Sequence, residues 1–423
     1  MTQTAATTDM PDVAEYRAQA RAWLAENLER RVGPRQRYEI DHYTPEVMAA
    51  NRALQRKLYE GGYAGITWPK EYGGQGLTGD HEAAFLEEAE PYVLPDFGVL
   101  TGTTFHVCVP TMIAHGSPEL LRRFVPKVLA GEALVCQFFS EPSSGSDLAG
   151  AQTRAVRDGD HWVLNGQKIW STYAHLADYG FCLARTNWDV PKHRGLTWFI
   201  VPCDAKGVTI RPILQINETA EFCEDFFDDV IVPDEDRVGE VNQGWSVTQT
   251  LLVFERGAGR PDAAPEHLSP GPLAPDLVAL AERRGVTTDP VVRQKLARAH
   301  TNDFVHKVLT ARIGELGRLG RLNAGIAAYG KLFSGTYNPI RARIGVEIGG
   351  PAAMTWDPDD KDGAATSLAY LNGRIMSIAG GTNEMQRNGI GERALGLPRE
   401  PSFDTTKPFN EVLRNARNWS GQI

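Results

Sequence analysis

The spacing of apolar residues along the chain is helical at first. Apolar side chains recur on one helical face over residues 13–32, where Gly33-Pro34 is expected to end the helix. Further helical segments are predicted at 45–61, 79–90 and 118–131. Ser117 before Pro118 is a typical cap and first-turn pair for the last of these.

Short β-rich runs then replace the helical pattern. They cover residues 134–140, 153–157, 161–164, 179–186, 196–202, 208–214 and 223–232. Asp158-Gly159-Asp160 and Asn165-Gly166 are predicted as turns between runs, and Asn-Gly favours a hairpin. Because no helical pattern separates these runs, an antiparallel barrel or sandwich is expected.

After Gly244-Trp245 the pattern is helical again. Five prolines within residues 261–275 indicate a surface loop, and a long helical stretch is predicted from Thr288 past Leu332. A last helix is expected from Asn383 to Leu395. The sequence therefore predicts an α+β fold with a helical part at 1–132, a β part at 133–243 and a helical part at 244–423.

Composition excludes several classes of function. The chain has 423 residues and a net charge of −9, which disfavours binding to nucleic acid or to anionic membranes. No apolar run is long enough to span a bilayer, and residues 1–12 lack the features of a signal peptide, so a cytoplasmic protein is expected.

The five cysteines are widely spaced and are expected to be reduced. With no Cys-x-x-Cys or His-x-x-x-His pair, no metal is expected.

One glycine pattern is rejected as a dinucleotide site. Gly74-Gln-Gly-Leu-Thr-Gly79 fits Gly-x-Gly-x-x-Gly, but a real fingerprint follows a buried strand and opens a helix. Here Trp68-Pro-Lys-Glu-Tyr72 precedes it, so a loop is predicted.

Two segments of the β part have side chains suited to a flavin. Small and hydroxyl residues in Glu141-Pro-Ser-Ser-Gly-Ser-Asp147 follow a strand and allow backbone groups to approach a phosphate or a ring edge. Farther on, strand alternation would place Trp170 and Thr172 on one face, as an aromatic wall with a hydrogen-bond donor. A core tryptophan beside an unrelated threonine is the alternative.

The turn Gly380-Gly381-Thr382 is the most informative feature near the C-terminal end. Glycines permit a tight turn with free backbone N–H groups, and the helix that follows starts on this turn. A helix N-terminus of this kind is suited to an anionic or electron-rich cofactor.

Several motifs in a fixed order resemble those of acyl-CoA dehydrogenases. They are Ser140-Glu-Pro-Ser-Ser-Gly-Ser-Asp147, Asn165-Gly-Gln-Lys-Ile-Trp-Ser-Thr172, Phe226-Phe-Asp-Asp-Val-Ile-Val-Pro233, Gly239-Glu-Val-Asn-Gln-Gly-Trp245 and the Gly380 segment. The resemblance covers about residues 12–400. It implies an N-terminal helical domain, a middle antiparallel β-barrel and a C-terminal four-helix bundle, with non-covalent FAD and a tetrameric assembly.

The resemblance also implies a set of FAD contacts. Trp170 would pack on the flavin and Thr172 would lie near its N5 atom. The remaining contacts would come from Gln137, Phe139, Ser140, Ser146, Thr382 and Glu384. The Arg-x-Phe-Gly type segment that reaches a neighbouring subunit's FAD is missing, and Glu347-Ile-Gly-Gly350 resembles another such contact only loosely.

The position of the catalytic base departs from the usual family pattern. In many members a glutamate precedes the Gly-Thr pair, where this chain has Gly380, which keeps only its N–H for the thioester oxygen. Members acting on isovaleryl-CoA and long-chain substrates carry the base on the first long helix of the last domain. Glu255, before Arg256, matches that position and follows four apolar residues. A solvated Glu-Arg pair is the alternative.

The resulting prediction is an FAD-dependent acyl-CoA dehydrogenase that forms a trans-2-enoyl-CoA. Glu255 would take the α-proton, Gly380 N–H would bind the thioester oxygen, and an electron-transfer flavoprotein would accept the electrons. The assembly would be a homotetramer or a dimer of heterodimers. A subunit of a sterol side-chain type heterotetramer, and a flavin oxidase or monooxygenase on the same fold, are the alternatives. The acyl group is not predicted.

Overall fold

The computed structural model describes residues 10–32, 43–255, 274–321, 324–355, 360–399, 401–402 and 404–417. Its first part is helical. The helices are α1 (Val13–Asn27), α2 (Pro45–Glu60), α3 (Gly79–Ala89), α4 (Val99–Thr101), α5 (Val109–His115) and α6 (Pro118–Leu129). The predicted helical segments of this part are all present, and the Ser117 side chain caps α6 by accepting from Leu120 N–H.

The first helix ends earlier than its apolar spacing predicts. Leu28 leaves the helix with ψ 148°, and Arg30 then pairs with Tyr92 in an isolated β-bridge. The predicted stop signal, Gly33-Pro34, lies outside the described residues. Pairing with a distant segment of the chain therefore ends the helix before any glycine or proline is reached.

A π-helical segment, Gly102–Cys108, joins α4 to α5 and was not predicted. The Thr104 hydroxyl within it accepts a hydrogen bond from Val135 N–H at 2.9 Å. Cys108, at its end, is fully buried. π-Helical turns are wider than α-helical ones and occur often at functional sites.

The middle part is one eight-stranded sheet. Its strands are β1 (Val135–Phe138), β2 (Arg154–Asp158), β3 (His161–Thr172), β4 (Tyr179–Arg185), β5 (Leu196–Pro202), β6 (Val208–Ile213), β7 (Phe222–Pro233) and β8 (Arg237–Val238). The order is β6-β7-β3-β2-β4-β5-β8, with β1 on β4. Pairing is mainly antiparallel, but β1 runs parallel to β4 and one residue pair joins β2 to β4 in parallel.

The predicted turn at Asn165-Gly166 is wrong. Both residues lie inside the long strand β3, where a register shift against β7 separates Leu164 from Gly166. Asn165 binds Asp229 of β7 through its side-chain amide at 2.9 Å. The pair therefore forms a bulge, and the hairpin turn between β2 and β3 lies at Gly159, with φ 61°.

The last part is helical. It contains α7 (Gly244–Glu255), α8 (Pro275–Arg283), α9 (Pro290–Arg318), α10 (Ala324–Gly349), α11 (Lys361–Asn372), α12 (Ile375–Ile378), α13 (Asn383–Arg393) and α14 (Phe409–Arg417). The stretch predicted as continuous past Leu332 is two helices, because α9 ends before Gly320, whose φ is 64°. Pro275 starts α8, and the other loop prolines lie outside the described residues.

The architecture confirms the predicted helix–sheet–helix fold class, while the boundaries at residues 132 and 243 stay predictions. The five cysteines are all free thiols. None of the helices in the described ranges combines the length and the apolar character of a membrane span.

A C-terminal strap, residues 404–417 with α14, packs on the middle sheet. The guanidinium of Arg185, a fully buried residue of β4, lies 3.8 Å from the ring centroid of Phe409. Backbone N–H groups of Phe409 and Asn410 donate to carbonyls of residues 190 and 188, and Lys192 pairs with Asp404 at 2.6 Å. The strap therefore covers a buried cation of the sheet.

Phe409→Ala should lower the free energy of unfolding by about 3 kcal/mol, because it removes a buried ring and uncovers Arg185. Thermal and urea unfolding with a tryptophan signal would measure this loss. The control Lys407→Ala removes an exposed ion pair between the residues before α14 and Glu411, and should change little. Equal stability of the Phe409 variant and the wild type would contradict a stabilising role for the strap.

Candidate active site

The first group of predicted site residues lies where β1 and β3 end side by side. Backbone N–H of Ile169 donates to the Ser140 carbonyl at 2.9 Å. The Lys168 ammonium donates to the Phe139 carbonyl at 3.0 Å. These bonds bring Phe139 and Ser140 next to Trp170.

Trp170 lies in a strained bulge of β3. Its φ is +66°, and the register against β7 shifts between Ile169 and Ser171. A bulky residue with positive φ costs on the order of 1–3 kcal/mol and occurs most often at functional sites. Trp170 is the extra residue of this bulge, so strand alternation alone does not fix the direction of its side chain relative to Thr172. Trp170 is 56% exposed, and its ring meets the ring of Phe222 edge-on, with centroids 6.1 Å apart.

Gln137 adds a polar group to the same region. It lies on β1, opposite Phe181 of β4. Its side-chain nitrogen is buried, and no residue in the described ranges accepts a hydrogen bond from it. A buried amide without a partner costs free energy, so this position suits a ligand acceptor such as a flavin ring edge.

A buried ion pair holds the loop after β1. Glu141 and Lys168 lie 2.8 Å apart, and both side chains are almost fully buried. The Glu141 carboxylate also accepts from backbone N–H of Gln152 at 2.6 Å and of Thr153 at 2.8 Å. Burial raises the pKa of Glu141, but the charge and hydrogen bond of Lys168 outweigh this and lower the pKa overall. Ser146, farther along the loop, is exposed to solvent.

The second group of residues surrounds the turn before α13. Gly380 has φ 66° and Gly381 has φ 86°, in the left-handed region that favours glycine. The Gln386 amide donates to both of their carbonyl oxygens at 3.1 Å. Thr382 caps α13 by accepting from Met385 N–H. The predicted turn and helix are therefore present, and Glu384 is exposed and pairs with Arg387 at 3.3 Å.

Glu255 ends α7 beside Gly380. A Cβ atom built on Gly380 would lie 3.5 Å from Oε1 of Glu255 and 3.3 Å from Cε of Lys331. Glu255 is half-buried, and its carboxylate would be in van der Waals contact with a Cβ atom at position 380. Burial, and next the charge of Glu255, raise the pKa of Cys108 well above its usual value, which places this carboxylate close to the π-helical segment.

Trp198 of β5 links the two groups of residues. Its ring packs edge-on against Phe139 with centroids 4.8 Å apart. Its indole N–H donates to the Gly244 carbonyl at 2.9 Å and lies 3.1 Å from the Thr248 hydroxyl, both on α7. The sheet end that carries Trp170 and the helix that carries Glu255 are thus joined by one buried side chain.

Sequence reasoning missed three residues of this region. Lys331, Gln386 and Cys108 contact or face the Gly380 turn and Glu255. Gln386 lies inside the Gly380 segment without a predicted role, and Lys331 and Cys108 belong to no motif. Their proximity arises only from the packing of helices. Among the described residues, no group of three or more His, Cys, Asp or Glu side chains could hold a metal ion.

Comparison with known proteins identifies the family. Family models for the acyl-CoA dehydrogenase N-terminal, middle and C-terminal domains match residues 11–132, 136–230 and 242–395. Acyl-CoA dehydrogenase IpdE1 of Mycobacterium tuberculosis is 38% identical over 394 residues, which cover 92% of this chain and 99% of that protein. The chain belongs to the acyl-CoA dehydrogenase family. It is therefore an oxidoreductase of the class that acts on acyl-CoA.

Solved acyl-CoA dehydrogenase structures share the whole fold. The Tcur3481-Tcur3483 steroid ACAD matches with a TM-score of 0.71 at 28% identity, over 92% of this chain and 98% of that one. The ChsE4-ChsE5 complex from Mycobacterium tuberculosis matches with a TM-score of 0.68 at 30% identity, over 95% and 100%. The predicted fold is thus confirmed along nearly the entire chain.

Glu141→Gln should destabilise this acyl-CoA dehydrogenase by about 3 kcal/mol at neutral pH, because it leaves the Lys168 ammonium buried without a counter-charge. The pKa of Glu141 is lowered in the folded state, so its stabilising effect is complete above the unfolded-state pKa. The effect is lost as the pH falls through the lowered folded value.

Urea unfolding of both proteins at pH 7 and at stepwise lower pH would check this. The difference between wild type and variant should shrink on the acid side. Glu132→Gln, which breaks the exposed pair with Arg56, is the matched control and should cost well under 1 kcal/mol. A Glu141 variant no less stable than this control would contradict the role of the buried pair.

Proposed function

We propose that this chain is an FAD-dependent acyl-CoA dehydrogenase in which Glu255 is the catalytic base. One observation carries the proposal. The Glu255 carboxylate lies 3.5 Å from the position that a Cβ atom would occupy on Gly380, at the turn where other family members carry the base. The half-buried carboxylate and the open turn are therefore complementary in space.

The residues present fit a flavin cofactor. The buried nitrogen of Gln137 lacks a protein partner, and the strained bulge turns Trp170 toward solvent as an uncovered aromatic surface. Gln137, Phe139, Ser140, Trp170 and Thr172 would hold the ring. Ser146, Thr382 and Glu384 would contact the pyrophosphate and nucleotide parts. When bound, FAD supplies an acceptor for the hydride that leaves the β carbon.

The protein's own groups would handle the proton and the developing charge. The Cα–H bond of the acyl thioester breaks, its proton passes to the Glu255 carboxylate, and the electron pair forms the α,β double bond as the hydride leaves. Backbone N–H of Gly380 would donate to the thioester oxygen, where negative charge develops. The product would be a trans-2-enoyl-CoA, and the electrons would pass to an electron-transfer flavoprotein.

Backbone conformation favours glycine at position 380, because φ 66° is unfavourable for any residue with a Cβ atom. A Cβ atom there would also be in van der Waals contact with Glu255 Oε1 and tightly packed on Lys331 Cε, so a long side chain would crowd the base. The missing glutamate is therefore consistent with a relocated base and does not imply an inactive enzyme.

A second candidate is a subunit of a mixed tetramer. The Tcur3481-Tcur3483 steroid ACAD and the ChsE4-ChsE5 complex are both named for two components. Large apolar side chains of the C-terminal helices also lie open to solvent, including Ile378 at 67% and Leu395 at 64% exposure. In either assembly, homotetramer or dimer of heterodimers, the chain that carries Glu255 would be a catalytic one.

Glu255→Gln should keep bound FAD but slow its reduction by acyl-CoA by about 10²–10⁴-fold, because glutamine cannot accept the proton. Anaerobic stopped-flow bleaching of the flavin with a panel of acyl-CoA thioesters would measure this and would also rank the acyl groups. Reduction at a near wild-type rate would disprove the assignment of the base.

The paired variant Glu255→Gly with Gly380→Glu should recover part of the rate lost in Glu255→Gly. It places a carboxylate in the same volume from the opposite wall, although the positive φ at 380 costs about 1–2 kcal/mol. No recovery in a well-folded, FAD-containing pair would show that Glu255 acts otherwise than by supplying a carboxylate there.

Purification of the chain alone should separate the two assemblies. A yellow homotetramer with stoichiometric FAD would support the first candidate. A chain without flavin that gains FAD and activity only with a second subunit would support the mixed tetramer. Rapid reoxidation of the reduced flavin by oxygen would instead favour an oxidase or monooxygenase.

A further inference from the structure

We propose that Lys331 is a positioning residue whose ammonium group, held close to Glu255, favours the charged, proton-accepting form of that carboxylate. The inference rests on the proposed function, in which Glu255 is the base. It adds a residue that no sequence motif indicates and that acts through Glu255 without touching the substrate.

Three chain segments meet at one point beside the base. Cε of Lys331 from α10 and Oε1 of Glu255 from α7 both lie within van der Waals reach of the space above the Gly380 Cα atom, at 3.3 and 3.5 Å from a Cβ built there. The Lys331 stem and the Glu255 carboxylate therefore both border the space above Gly380, where glycine leaves room beside them.

The ammonium group is fixed in this place by the backbone. Lys331 Nζ donates to the carbonyl oxygen of Met376 on α12, four residues before Gly380. Position 331 thereby ties the α10 helix to the segment that leads into the turn. A lysine used only for solubility would extend into water, whereas this one is half-buried and bonded to the main chain.

Charge complementarity supports an electrostatic role. Burial lowers the pKa of Lys331, and the negative charge of Glu255 opposes that lowering. By reciprocity, the lysine favours the ionised form of Glu255. The π-helical segment lies on another side of Glu255 and contributes Cys108. Burial raises the pKa of this thiol, so it is neutral. His115 faces α7 one turn away and bonds the Thr250 hydroxyl at 2.8 Å.

Arg341, another cation of α10, is paired with neighbouring helices. It pairs with Asp276 of α8 and Asp303 of α9, and His306 of α9 bonds the Ser334 hydroxyl of α10 at 3.0 Å. Of Lys331 and Arg341, Lys331 is the one that lies beside the base.

The test is the pH dependence of flavin reduction in the FAD-loaded enzyme, measured by anaerobic stopped-flow for wild type, Lys331→Met and Lys331→Arg. Loss of the positive charge should raise the pKa of Glu255, so the acid limb of the rate profile should move up by about one pH unit in Lys331→Met. At a pH below the limb this is about a tenfold lower rate, with a much smaller loss above it. Lys331→Arg, which keeps the charge, should restore the limb to near its wild-type position.

Lys57→Met is the matched control. Lys57 also donates from its ammonium to a backbone carbonyl, that of Asn27 at 2.6 Å, and so ties two helices without a catalytic carboxylate nearby. It should leave the acid limb unchanged. Thermal melting and FAD content identify any variant whose rate is lowered by misfolding.

The outcomes for Lys331 and for Glu255 are separable. An unmoved acid limb in well-folded Lys331→Met, with Glu255→Gln inactive, overturns the role of Lys331 and leaves the proposed base in place. A uniform rate loss at every pH in both Lys331 variants also overturns it, because a purely structural role would produce that result. An active Glu255→Gln enzyme overturns the proposed function itself.

Discussion

The competition for space above Gly380 is the constraint on which the proposed chemistry depends. Glu255 of α7 and Lys331 of α10 both border the small space above this turn, at 3.5 and 3.3 Å from a Cβ atom built there. With Glu255 entering from α7, a long side chain on the turn would crowd the base, and the turn's φ of 66° independently favours glycine. A change of residue at position 380 would therefore affect both the backbone conformation of the turn and the space available to the Glu255 carboxylate.

Much of the fold could be predicted from the chain because its signals are local. Ser117-Pro118 starts a helix and Gly380-Gly381-Thr382 makes a turn by chemistry that acts within a few residues. Predictions failed where distant pairing overrides local preference. Asn165-Gly166 has the composition of a hairpin turn, but pairing of β3 with β7 on both sides keeps it in a strand.

In the candidate site, too, local signals could be predicted and long-range packing could not. Motifs single out Ser140, Trp170 and Thr382, because each motif is a continuous stretch with its own chemistry. The bulge that exposes Trp170 and the approach of Lys331 to Glu255 depend on strand register and on helix packing, which no short window of sequence contains. Trp198 matters for a related reason, since it transmits the position of the sheet to the start of α7 through two polar contacts.

The C-terminal strap has a consequence for the order in which the chain matures on the ribosome. Arg185 donates to the carbonyls of Ala149 and Ala151, but the ring of Phe409 that covers it is synthesised 224 residues later (409 − 185 = 224). At about 5–20 residues per second, the nascent sheet waits on the order of ten seconds or more with this cation uncovered. The middle sheet therefore depends on a distant segment of the chain for its cover, and a nascent sheet with an open face at Arg185 is the form that chaperones would encounter.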